Sequence, residues 1–412
     1  MQRFPQPQFE TGYVVPTAQN PAVFAWLPPW LEALLLAAVL LLAAWLVLKR
    51  RSRPAVVLLA LLCLAWYGFV RHGCICPVGA TQNVAAATAA GGGLPWLAGF
   101  LFAAPLLAAL LFGRVFCASV CPLGALQDLT VVRPVRVPRP LDAVLRLGPP
   151  LVLALAVLFA ACGAGFPVCR ADPFVGFFRR FAPVPMLAAG VAVVLLGTVL
   201  ARPYCRWFCP YGLLLGWCAR LAWRHAAITP DECIRCRLCG EACPFDAIRE
   251  PRAPAPAGQA AAARRRLLLT MLLVPALLAA GALAGRLAAP RLALLHPDVA
   301  CEAHLAEMAA DPQARYLDAE AFRSLGRDPV RLAAQARAVR ARFVFGAGLA
   351  GGLLGLLAGV RLVLLARQPV RDVYTIERSR CVGCGRCFAV CPRHQVWAQR
   401  RLRNAALQGN ET

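Results

Sequence analysis

Two cysteine runs of identical spacing, separated by two apolar segments each long enough to cross a membrane, constrain this chain more than any other feature. The first is Cys233-Ile-Arg-Cys236-Arg-Leu-Cys239-Gly-Glu-Ala-Cys243-Pro244, and the second is Cys381-Val-Gly-Cys384-Gly-Arg-Cys387-Phe-Ala-Val-Cys391-Pro392. Three closely spaced thiolates suit one [4Fe–4S] cube, and where two such runs occur the fourth cysteine of each ligates the other cube. The expected ligand sets are therefore crossed. Cys233, Cys236, Cys239 and Cys391 hold one cluster, and Cys381, Cys384, Cys387 and Cys243 hold the other. Competing readings are a pair of zinc sites, which more often use paired CxxC with a longer gap and histidine, and two independent half-modules that pair between protomers.

The apolar segments decide where these runs sit. The chain is 60% hydrophobic and 16% charged, with a mean hydropathy of +0.61, which predicts a polytopic membrane protein. Seven spans are expected, over 30–48, 54–70, 94–112, 147–165, 185–201, 266–284 and 343–366. The +24 net charge does not point to nucleic acid, because Lys49 is the one lysine and most of the arginines flank apolar spans. The loops after the first, third and fifth spans are the Arg-rich ones, which puts them in the cytoplasm and the N-terminus in the periplasm of a bacterial inner membrane. Arg170, Arg179 and Arg180 lie on the other side and weaken the bias. No cleavable leader is expected at the N-terminus.

Parity follows. Two spans between the cysteine runs put both on the cytoplasmic face. The expected fold is mainly α, a polytopic bundle of about seven spans with a small α+β ferredoxin-like two-cluster module split in sequence. The expected divisions are a tail at 1–29, a five-span core at 30–228, the first ferredoxin half at 229–250 and a linker at 251–265. Span six at 266–284, a helical periplasmic insertion at 285–342 and span seven at 343–366 follow, then the second half at 376–397 and a tail at 398–412.

A second repeat sits at the membrane edge. Gly113-Arg114-Val115-Phe116-Cys117-Ala118-Ser119-Val120-Cys121-Pro122 follows span three, and Arg202-Pro203-Tyr204-Cys205-Arg206-Trp207-Phe208-Cys209-Pro210 follows span five. The i, i+4 spacing predicts both sulfurs of each run on one helical face, before the proline redirects the chain. Cys117, Cys121, Cys205 and Cys209 together suit an additional metal or a third cluster; the plainer reading is reduced thiols packed at a helix interface, or redox-sensing pairs. A degenerate copy, Cys74-Ile75-Cys76-Pro77-Val78-Gly79-Ala80-Thr81-Gln82, echoes the phrase that runs from Cys121 to Gln127. Parity places it in the periplasm with Cys162 and Cys169, where disulfides are a ready explanation and a metal centre the sharper one.

The remaining candidates read as ordinary residues. Cys63 and Cys218 lie in apolar helical stretches and suit plain packing. Cys301 and His304 read as surface. None of the five histidines falls inside a span, so no b-type haem is expected. His72 and His225, near the membrane edges, could assist quinol deprotonation but read as interfacial residues.

The paired CxxxCP loops after alternate spans, followed by Asp231-Glu232-Cys233 and its run, resemble the NapH/NosR/MauN group of membrane polyferredoxins. The resemblance covers about 54–250 and 376–395. It implies two [4Fe–4S] clusters and electron transfer between the quinol pool or a cytoplasmic donor and a periplasmic redox partner, with quinone as a ligand. It leaves a quinol dehydrogenase activity open; the alternative is a redox-sensing or maturation scaffold for a periplasmic metalloenzyme. The chain departs from the group in its split ferredoxin runs, its extra spans and its short N-terminal segment. No residue constellation marks a quinone pocket.

Overall fold

The computed structural model describes residues 28–396, except 74–76, 133, 136, 180–182, 229–232, 253–256, 312, 368–370 and 372. Residues 1–27 of the expected first tail, the whole of the last, and Cys74 and Cys76 lie outside the described residues. What is described is almost wholly helical. Five helices are long and apolar enough to cross a membrane: Pro29–Arg50, Arg53–Val70, Pro140–Ala161, Ala262–Ala293 and Pro329–Ala366. Two shorter apolar helices, Trp96–Phe112 and Val184–Leu200, occupy the remaining expected spans. Exposed Leu41, Leu58, Leu62, Leu195 and Leu272 on these helices face outward, as lipid rather than water requires.

The first helices close one core. Leu36, Leu40 and Val47 pack with Val56, Leu59 and Cys63, with Ala108 and Ala109, and with Phe116, Tyr211 and Leu215. Tyr211 donates its hydroxyl to the Phe102 carbonyl at 2.5 Å, so a polar tip in an apolar site is satisfied. Short loops recur at the ends, many opening the next helix with proline at its first turn, where the missing N–H costs nothing.

The last two long helices form a hairpin, Ala257–Ala293 against Pro329–Ala366, of 37 and 38 residues. At 1.5 Å per residue each runs ~55 Å, well beyond a ~30 Å hydrocarbon layer. The expected insertion at 285–342 is therefore not separate from the spans. The hairpin helices continue into it, and two helices, Pro297–Ala310 and Leu317–Ser324, close its far end. Glycine makes the close approach. A Cβ added at Gly281 would collide with the Gly351 carbonyl, one at Gly285 with that of Ala347, and one at Gly355 with that of Leu277. This is the small-residue seam that lets membrane helices touch backbone to backbone.

The near ends of the hairpin carry the two cysteine-rich halves, and these meet. Ile248–Arg249 and Thr375–Ile376 form a two-stranded antiparallel sheet with Ile248 opposite Ile376 and Arg249 opposite Thr375. Glu377 N–H donates to the Ala247 carbonyl at 2.7 Å, and Arg249 pairs with Glu377. The halves also share a backbone plan. Arg235 (φ 55°) and Arg237 (φ 66°) in one correspond to Gly383 (φ 70°) and Gly385 (φ 75°) in the other. Each pair is followed by a five-residue helix, Leu238–Ala242 or Arg386–Val390.

Candidate metal centres

Cys239 has Cys233, Cys236 and Cys391 as its electrostatic neighbours, and the same four line one small cavity. Cys381, Cys384 and Cys387 surround Cys243, and these four line a second. The fourth cysteine of each run thus lies with the first three of the other. Proline sets this up: Cys243 (ψ 104°) and Cys391 (ψ 115°) end their short helices in extended conformation, because the residue before proline is excluded from the helical region. Cys239 and Cys387 are themselves neighbours, so the two sites adjoin. The first is the more open, with Cys236 exposed.

The membrane-edge thiols also converge. Cys121 is influenced by Cys205 and Cys117, and Cys209 by Cys205, Cys121 and Cys117. The route differs from the helical face expected for i, i+4. Cys117 lies in a single wide π-helical turn, Phe116–Val120, whereas Cys121 (ψ 116°) has left it and caps Pro122–Leu129. Cys205 lies in Pro203–Trp207, whereas Cys209 (ψ 110°) caps Pro210–Arg220. The same pre-proline restriction is the reason, and it points the second thiol of each pair at helix N–H groups. Gly212 N–H donates to Cys209 Sγ at 3.3 Å.

Other residues complete this site. Arg114 Nη2 reaches Cys117 Sγ at 3.7 Å, and Arg202 Nη1 donates to the Cys117 carbonyl at 2.6 Å. Gln127 Nε2 donates to Cys205 Sγ at 3.2 Å, while its Oε1 accepts from Tyr204 N–H at 3.2 Å. Arg202 is 1% exposed, lies 5.3 Å from the Phe245 ring centroid, and feels Asp128, Cys205, Cys384 and Cys117. It therefore stands between the membrane-edge site and the buried ferredoxin-run site. Ala201, Phe245, Ala247 and Val382 fill the space between them and exclude water. Burial pushes the Cys205 thiol up to about 11 against the pull of Arg202, and Cys381 up to about 12. Sulfurs so placed become thiolates through a bound metal, which displaces their protons.

The site ties the molecule together as well. Asp128 pairs with Arg53 at 3.5 Å, Arg202 at 3.6 Å and Arg386 at 3.3 Å, and Arg53 Nη1 donates to the Cys384 carbonyl at 2.9 Å. Residues following the first, third and fifth expected spans thus meet the second cysteine run at one edge, as parity requires. Four cysteines per site, shielded by apolar side chains and N–H donors, is a donor set that fits a [4Fe–4S] cluster.

At the other repeat, Gln82 Nε2 donates to Cys169 Sγ at 2.9 Å and to the Val78 carbonyl at 3.2 Å. Gln127 does the same with Cys205 Sγ and the Leu123 carbonyl, four residues back. Cys169 and Cys205 each lie in a five-residue helix opened by proline, Pro167–Ala171 and Pro203–Trp207. Tyr204 donates its hydroxyl to Asp172 at 2.6 Å, joining the two loop systems. Cys162 is buried in a different cluster, with Phe159, Ala289 and Phe343. No disulfide is formed among the described residues. Cys63 is buried in the apolar core and Cys218 packs against it; Cys301 is half-buried, and His304 pairs with Asp318 at 2.8 Å. The glutamines and Arg202 were missed from sequence. Their signal was there: both cysteine–proline phrases end in glutamine, and arginine stands three residues before Cys117 and Cys205.

The chain matches the 4Fe–4S binding domain families over residues 93–140 and 181–228, over 226–249 and over 374–397. It is 28% identical over 162 residues to YccM of Escherichia coli (strain K12), whose name assigns it to electron transport, covering 35% of this chain and 45% of that protein. Over 155 residues it is 32% identical to the regulatory protein NosR of Pseudomonas aeruginosa, covering 34% and 21%. Over 266 residues it is 29% identical to the protein NirI of Paracoccus denitrificans, covering 56% and 38%. The chain thus spans less than half the length of each relative. No solved structure matches it significantly.

Proposed function

We propose that this chain, an iron–sulfur membrane protein and polyferredoxin of the NosR/NirI type, relays electrons through three thiol sites in series. Cys233, Cys236, Cys239 and Cys391 form the outer one, Cys381, Cys384, Cys387 and Cys243 the middle one, and Cys117, Cys121, Cys205 and Cys209 the one at the membrane edge. When bound there, [4Fe–4S] clusters supply one-electron redox chemistry. The crossed placement of Cys243 and Cys391 carries this reading, since it brings the first two sites side by side. Arg202 and Arg114 balance the charge that accumulates on the thiolates, and Phe245 and Val382 keep water out between sites. The domain match over both CxxxCP loops supports a cluster rather than idle thiols at the membrane edge.

The cysteine-rich halves face the cytoplasm of a bacterial inner membrane and the N-terminus faces the periplasm. Electrons pass between the quinol pool or a cytoplasmic donor and a periplasmic redox partner. Cys169, held by Gln82 as Cys205 is by Gln127, belongs to a further metal centre whose loop the Tyr204–Asp172 hydrogen bond ties to the membrane-edge site, with Cys74 and Cys76 as its candidate partners from sequence. Masses after alkylation without reductant test this last point: a disulfide among these cysteines overturns it.

Iron and acid-labile sulfide per chain test the main reading. About twelve irons are expected for three cubes, and about eight would remove the membrane-edge centre. Cys391→Ser and Cys243→Ser are each expected to abolish one cluster signal in electron paramagnetic resonance; retention of every signal in either variant sinks the crossed assignment. Failure of the reduced protein to exchange electrons with any quinone analogue or partner replaces the relay with a regulatory role, the one NosR's name gives to that protein.

A further inference from the structure

A cavity of about 260 Å³ is lined on one side by three of the membrane-edge thiols, Cys117, Cys205 and Cys209, and most of its polar lining is guanidinium. Arg114 and Arg202 serve the thiols. Beyond them Arg146, Arg206, Arg220, Arg249, Arg361 and Arg380 line the same space, with Glu377 the one carboxylate among the lining residues. The neighbouring acids are already shared. Asp142 pairs with Arg146 at 2.7 Å, Arg206 at 2.8 Å and Arg380 at 3.7 Å. Glu377 pairs with Arg249 and Arg380, and Asp246 with Arg380 at 3.3 Å. Six cations thus have three carboxylates between them. Arg220 and Arg361 form no ion pair among the described residues. Arg361 hydrogen-bonds the Ala143 carbonyl, at 3.5 Å, and faces Arg146, Arg380 and Arg220, with the already shared Asp142 as the one acid acting on it. The Arg206 side chain is 6% exposed, yet its Nε has no hydrogen-bond partner among the described residues.

Like charges held this close out of water repel one another strongly, and a buried N–H without an acceptor keeps the cost of its lost hydration. A cluster on the thiols brings negative charge that Arg114 and Arg202 meet, and the six further guanidinium groups, with three carboxylates between them, call for a second anion. The cavity's other wall says which kind. Val360, Leu364 and Leu365, exposed on the spanning helix Pro329–Ala366, line it together with the exposed Trp217 of Pro210–Arg220, with Pro149, Pro150 and Leu357 behind them. We infer that the cavity binds the phosphate headgroup of an anionic membrane lipid, the guanidinium groups holding its oxygens and the acyl chains lying along Trp217, Val360, Leu364 and Leu365. Arginine suits this task because its planar donors grip a phosphate at two points. Basic pockets between membrane helices are a recognised setting for such headgroups. A neutral quinone fits the apolar wall but leaves the charge uncompensated.

The test uses the full chain, purified with its metal centres, delipidated, and examined by native mass spectrometry with added phosphatidylglycerol, phosphatidylcholine or inorganic phosphate. Retention of about one phosphatidylglycerol per chain is expected, with phosphatidylcholine retained at least tenfold more weakly. Arg361→Gln should weaken retention of phosphatidylglycerol about tenfold, and Arg337→Gln, on the exposed far part of the same helix, should not. Equal retention of the two lipids, or undiminished retention by Arg361→Gln, overturns the proposal. Occupancy by inorganic phosphate with no lipid retained assigns the cavity to a free anion and overturns the lipid. Preferential retention of an added quinone analogue overturns it too.

Discussion

The two cysteine-rich halves solve one backbone problem with different residues. Gly383 and Gly385 adopt positive φ without penalty, whereas Arg235 and Arg237 hold the same left-handed geometry with side chains that resist it. Arg237→Gly is therefore expected to stabilise the outer site by about 1 kcal/mol, read as slower bleaching of the cluster absorbance on heating. Gly383→Ala should act the other way by at least about 1 kcal/mol, because its Cβ would also sit 3.3 Å from Val47. Arg202 is the more consequential residue. Arg202→Met keeps its bulk but removes a buried cation that balances Cys117, Cys205 and Cys384. The expected result is a more negative midpoint potential for both neighbouring centres in a redox titration, with iron content unchanged; loss of iron alone would mark Arg202 as merely structural.

Among the elements, the hairpin carries the greatest mechanical demand. Its glycine seam admits no Cβ, so Gly355→Ala should cost about 1–3 kcal/mol or more through overpacking, detected as a lower thermal midpoint with loss of both ferredoxin-run signals together. Gly93→Ala, at an open position with no atom within 4 Å and no left-handed φ, is the comparison that isolates seam packing from the bare addition of a methyl group. This is also where sequence and structure part. Apolar length made the hairpin legible, and cysteine spacing with parity made the meeting of its ends legible. The continuation of both helices past the membrane was not, because the Ala- and Arg-rich stretch from 285 to 342 lost the apolar signal while keeping helical propensity. The membrane-edge site was half legible. Four cysteines could be named, but the i, i+4 rule gave the wrong local geometry, since cysteine before proline cannot continue the helix that carries its partner. Arg380 and Arg386 are more than 200 residues from Asp142 and Asp128, acids they meet, and leave no local pattern to find.

At the scale of the whole molecule, one carboxylate joins membrane core to cysteine module. Burial alone would raise Asp128, but Arg202, Arg386 and Arg53 hold it below the usual carboxylate range. A depressed folded pKa means that the stabilisation is present above the unfolded value, near 4, and disappears as pH falls through the folded value. Asp128→Asn should thus cost about 3 kcal/mol at neutral pH, and the gap between variant and original chain, measured by thermal unfolding, should close below about pH 4. Glu377, held down by Arg380 and Arg249 against the effect of burial, adds to the same acid sensitivity. The hairpin also imposes an order of events during synthesis. Cys243 and the thiols it joins are separated by about 140 residues, or roughly 7–30 s of translation at bacterial rates. Through that interval the first three-cysteine loop lacks its closing ligand. Neither ferredoxin-run centre can be completed until the last helix has been inserted and has returned to the near side. Loading of these two centres therefore reports that the nascent chain has finished threading the bilayer, and a chain stalled before its last helix holds at most the membrane-edge centre, whose four thiols all precede residue 210.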